Sequence, residues 1–61
     1  MTQATENEFR MFHRSSDALR AAMVAGDVAT VREMLDEIEV LAMHTDSADV
    51  RQMCQPYMLP N

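Results

Sequence analysis

Three side chains in this sequence have the intrinsic chemistry to hold a metal or attack an electrophile: His13, His44 and Cys54. Two ligands share a helix face only when they stand three or four residues apart. Among pairs that include one of these three residues, His13 with Asp17 alone does so. Both fall on the polar side of the helix that contains them, where a solvated His–Asp contact worth about 0.2–0.5 kcal/mol is the ordinary explanation. Cys54 lies towards the C-terminal end of a short helical stretch among apolar neighbours. A catalytic thiol needs a histidine or a helix N-terminus to lower its pKa, so the expectation is an inert buried group. A lone cysteine makes no intramolecular disulfide, and no paired Cys/His spacing offers a zinc site. There is no glycine-rich loop, and a chain of 61 residues is too small to shape a deep pocket by itself. The reading is a non-enzymatic protein without cofactor or metal.

Chemistry of a second kind resides in the charge. Ten acidic residues stand against five arginines and no lysine, for a net charge of −5, which argues against binding a phosphate backbone directly. The distribution is uneven. Residues 9–25 carry Arg10, Arg14 and Arg20 against Asp17, whereas residues 27–44 carry Asp27, Glu33, Asp36, Glu37 and Glu39 against Arg32. One segment is basic and the next acidic. The run Glu33, Asp36, Glu37 and Glu39 is either a solvated helix face or a row of carboxylates imitating the phosphates of DNA, and Arg32 interrupts it.

The elements that position these groups follow from the breakers. Gly26, Pro56 and Pro60 divide the chain. Thr5 with Glu8 three residues on has the form of a capping box, predicting a first helix over about residues 6–25. Within it Phe9, Phe12, Ser16, Leu19 and Met23 recur at alternating spacings of three and four, which makes one core-facing stripe. Gly26 suits a left-handed helix C-terminus and Asp27 can cap the next helix at once, so the second helix, about 28–44, returns antiparallel. Val28, Val31, Met34, Leu35, Ile38, Leu41 and Ala42 span an arc of about 140 degrees on its wheel. Thr45, Asp46 and Ser47 form a turn. A third helix over about 47–55 should present Val50, Met53, Cys54 and Tyr57 and end at Pro56, and the apolar tail Met58–Asn61 is too short to fold alone. The fold class is all-α: a single domain made of an antiparallel helical hairpin and a short third helix.

Leu19, Ala22, Gly26, Val31, Met34 and Leu35 are spaced so that this stretch of about 17 residues resembles the helix-turn-helix part of an ankyrin repeat. The threonine–proline start of that repeat is missing, and one unit has no neighbour to stack on. The spacing is read as the same solution to a tight helical hairpin.

A domain of this length buries only about 60% of the surface its unfolded chain exposes. One core at this size seldom supplies more than about 3–5 kcal/mol. Oligomerisation or partner binding is the expected remedy, and the expectation for this chain is self-association as a homodimer. Two surfaces are candidates. On the first helix Met11, Ser15, Ala18, Ala22 and Ala25 form a lateral row of mainly small side chains, able either to receive the third helix or to make a homodimer seam or seat a partner's helix. On the second, Val40 and Met43 lie away from the core arc. Seven methionines fit a surface that adapts to partners or an irregular core equally well. The opening MTQATENEFR lacks the basic start and apolar run of a secretory signal, and no segment reaches membrane-spanning length, which predicts a cytoplasmic location. The functional expectation is a small protein-binding regulator or adaptor that occupies a surface of a larger protein, possible targets being a transcription factor or a defence complex. An acidic DNA-mimic inhibitor and a structural subunit of a larger assembly are the alternatives.

Overall fold

The computed structural model describes residues 3–58, and within them every regular element is helical: α1 (Gln3–Ala25), α2 (Val28–His44), α3 (Ala48–Cys54) and a closing 3-10 turn (Gln55–Tyr57). The chain is thus the helical hairpin with a short third helix that its periodicity predicts. No helix among the described residues is long and apolar enough to cross a membrane.

The start of α1 differs from the capping-box expectation. The backbone is already helical at Gln3, so Thr5 lies inside the helix instead of at its N-cap. Nothing between residues 3 and 6 opposes helix, and a capping pattern marks a boundary only when the chain before it is non-helical. Glu8 is half-buried and adds its charge to the surroundings of Cys54. The expectation for the tail at residues 59–61 lies outside the described residues.

The α1–α2 turn is set by one residue. Gly26 has φ 72°, its N–H donates to the Met23 carbonyl at 3.3 Å, and the Asp27 N–H donates to the Ala22 carbonyl at 2.9 Å. This pair of bonds is the Schellman arrangement, which satisfies carbonyls that the end of α1 would otherwise leave open. Asp27 then caps α2, accepting from the Thr30 N–H at 3.2 Å and from the Thr30 hydroxyl. These two bonds hold the Asp27 carboxyl below its ordinary pKa. A Cβ at Gly26 would meet nothing within 4 Å, so a substitution there costs backbone conformation alone. Gly26→Val is therefore expected to destabilise by about 1–2 kcal/mol, with Gly26→Asn closer to the parent. Urea denaturation tests this: a valine variant as stable as the parent would show that the turn does not need the left-handed conformation.

At the other end of α2 the chain turns on Thr45, which is buried. Its Oγ1 accepts from the Ser47 N–H at 3.1 Å, and its carbonyl accepts from Arg51 Nη2 at 2.9 Å. Ser47 caps α3 by accepting from the Val50 N–H at 3.3 Å. Pro56 does end the α-helix, and the chain tightens there into the 3-10 turn.

The core is formed by Phe12 and Leu19 of α1, Ile38, Leu41 and Ala42 of α2, and Val50 and Cys54 of α3, with Phe9, Val31, Met34, Leu35, Met53, Tyr57 and Met58 packed partly against it. Two expected core residues are outside. Met23 and Val28 are each 65% exposed. The cause is the length of α3: seven residues rise only about 10 Å, and they pack beside Phe12 and Ile38, leaving the turn end of the hairpin uncovered.

Candidate functional site

Between α1 and α2, on a side that α3 does not line, runs an open groove of about 800 Å³. Its α1 wall is made by Met11, Arg14, Ser15 and Ala18, and its α2 wall by Glu33, Met34, Asp36, Glu37, Val40, Leu41 and His44. The floor is largely apolar and the rim is charged. Of the three occupants open to the lateral row of α1, its own third helix does not fill this groove, since no residue of α3 lines it.

The register of the groove is fixed by a bond that sequence reasoning missed. The Ser15 hydroxyl donates to Glu37 Oε2 at 3.1 Å, which sets Ser15 level with Glu37. In an antiparallel pair this also sets Met11, one turn towards the N-terminus of α1, level with Val40 and Leu41 of α2. The only available signal was that Ser15 and Glu37 each fall beside the core stripe of its helix.

The predicted seam is divided by the structure. Met11 (56% exposed) and Val40 (53% exposed) face the groove with Ala18, which is half-buried. Ser15 and Ala22 are buried within the chain itself. Ala22 does not line the groove, and its carbonyl serves the Schellman turn. Met43 is 69% exposed and lies outside the lining. The acidic run is divided as well. Glu33, Asp36 and Glu37 border this groove, whereas Glu39 borders a smaller one with Arg32, Leu35, Asp36 and Tyr57. The four carboxylates thus wrap around α2 and do not form one strip.

The residues of possible chemistry are scattered. His44 stands at one end of the groove. His13 is exposed on α1, its ring edge-on to Phe12 at 5.8 Å and its carbonyl accepting from the Ser16 hydroxyl at 3.1 Å. Among the described residues no group of three His, Cys, Asp or Glu is placed to hold a metal ion. Cys54 is fully buried, and burial, with the Glu8 charge adding to it, pushes its thiol pKa up. The folded chain therefore keeps its proton at pH values where the unfolded chain releases it. This contribution to stability is intact below the ordinary thiol pKa of about 8.5 and is lost as pH rises through the raised folded value. Thermal melts are expected to show a decline above about pH 8.5 that Cys54→Ser or Cys54→Ala reduces. A decline of the same size in those variants would assign it to other groups.

No family model, curated protein or solved structure matches this chain.

Proposed function

We propose that this chain is a small protein-binding regulator or adaptor, which occupies a surface of a larger protein by taking a helical segment of that protein into the α1–α2 groove. The observation that carries this reading is the groove itself: a two-helix cleft with Met11, Ala18, Met34, Val40 and Leu41 along its floor, left uncovered by the chain's own third helix. Two facing helices that leave such a cleft are the receptor half of helix-in-groove recognition. Methionine at Met11 and Met34 lets the floor adapt to the incoming side chains. Three carboxylates against the single Arg14 favour a segment with basic flanks. Wrapping of the four carboxylates around α2 makes a DNA-mimic a weaker account, since mimicry needs the charges on one accessible strip. A cytoplasmic site of action is part of the same reading.

A photo-crosslinking residue at Val40, introduced in the native cell, tests this. A defined adduct with a larger protein is expected, and the same probe at Ala29, exposed on α2 and outside the groove lining, should not give it. Equal labelling from both positions, or none from Val40, would overturn the reading.

A further inference from the structure

We propose that in the absence of that partner the groove is occupied by a second copy of this chain, related by a two-fold axis running along the groove, so that α1 of each copy lies on α2 of the other. This rests on the groove being a docking surface and adds a regulation to it, because the dimer hides what a partner would bind.

Charge selects the arrangement. The groove carries Arg14 on its α1 wall and Glu33, Asp36 and Glu37 on its α2 wall. Stacking α1 on α1 and α2 on α2 would set Arg14 against its own copy and three carboxylates against three. The crossed arrangement sets opposite charges together at both symmetry-related positions. Height agrees with charge. An axis along the groove leaves every residue at its own level, and the Ser15–Glu37 bond puts Arg14 level with Glu37 and Met11 level with Val40. In the dimer Arg14 of one copy therefore reaches the carboxylates of the other, while Met11 covers Val40, both more than half exposed in the single chain.

Sedimentation equilibrium of the purified chain, with circular dichroism to verify folding, tests the proposal. The parent is expected to dimerise in the micromolar range. Arg14→Glu alone, and Glu33→Arg with Asp36→Arg alone, change exposed side chains and should each weaken the dimer about tenfold or more at low salt. Mixing the two variants should restore it, since only the mixed pair has opposite charges at both positions. A photo-crosslinker at Val40 in the otherwise unchanged purified chain gives a readout that needs no charge reversal: its adduct should map to α1 of the second copy. A parent that stays monomeric at all concentrations, variants that both dimerise as the parent does, a mixture that stays monomeric, or a Val40 adduct on α2 would each overturn the arrangement. Loss of the dimer with a heterologous Val40 adduct still formed in cells would sink this inference and leave the protein-binding reading intact. The reverse pair of results would do the opposite.

Discussion

Ile38→Ala is expected to unfold most of the protein at room temperature. Ile38 is completely enclosed, and among the described residues it is the largest side chain to be so, followed by Val50 and Cys54. Truncating a buried isoleucine to alanine costs about 2–5 kcal/mol, through lost transfer energy and the cavity left behind. That range matches the whole stability of about 3–5 kcal/mol available to a single core of this size. The cavity would have little chance to collapse, because Ile38 lies where α2 meets both α1 and α3. Two substitutions give the scale. Ile38→Val should cost about 0.5–1.5 kcal/mol. Leu35→Ala, although it removes as many carbons, should cost less than Ile38→Ala, because Leu35 is only half-buried and already faces a small open groove beside Tyr57. Circular dichroism melts of the three variants decide the matter. An Ile38→Ala melting temperature within a few degrees of the parent, or a Leu35→Ala variant less stable than Ile38→Ala, would contradict the packing described.

Sequence reading placed Leu35 and Ile38 together, and the reason for their difference shows what periodicity can and cannot carry. A helical wheel reports angle. It places Phe12, Leu19, Ile38 and Leu41 on inward faces correctly, because each has a neighbour at its own height. It has no information about how far along a helix the neighbouring element reaches. Met23 and Val28 have inward angles and are nevertheless exposed, since α3 stops short of the turn. Local signals did better wherever the interaction is local. Gly26 in the left-handed conformation, Asp27 as a cap, Ser47 as a cap and Pro56 as a terminator each involve partners within five residues. The exception, Thr5 with Glu8, fails because a capping box says nothing about whether the preceding backbone is itself helical.

The groove was legible only in part for the same reason. Its two walls could be named from the sequence as separate rows, Met11 with Ala18 on one helix and Val40 on the next, but their meeting is a tertiary fact. What joins them is the direction α3 takes after Thr45, a turn whose bonds to Ser47 and Arg51 send the chain to the other side of the hairpin. Had α3 folded back onto Met11 and Ala18, the same helices would enclose a filled bundle with no cleft. Arg51 is thus tied to the existence of the groove without lining it.

The other large effect is expected at Phe12, the aromatic centre of the side that α3 does cover. Phe12 is buried, and its ring meets Tyr57 edge-on, with centroids 5.7 Å apart and planes at 69°. Tyr57 reaches it because Pro56 turns the end of α3 into the 3-10 turn, so this contact fastens the C-terminal segment to α1. Phe12→Ala should cost about 3–5 kcal/mol, enough to leave the chain mainly unfolded. Phe12→Leu keeps most of the apolar volume and removes the ring, and its smaller cost contains the aromatic pair, worth about 0.5–1.5 kcal/mol beyond area. A double-mutant cycle with Tyr57→Leu, measured by urea denaturation in an osmolyte that favours the folded chain, isolates that coupling. Zero coupling would mean that Tyr57 is held by Leu35 and its own turn, and that the C-terminal segment docks without Phe12. A coupling within the stated range, together with loss of helical signal in Phe12→Ala, would establish that α3 is fastened at both ends. Ser47 with Thr45 holds its start and Tyr57 its finish, which keeps α3 on its own face of the hairpin and the opposite groove free.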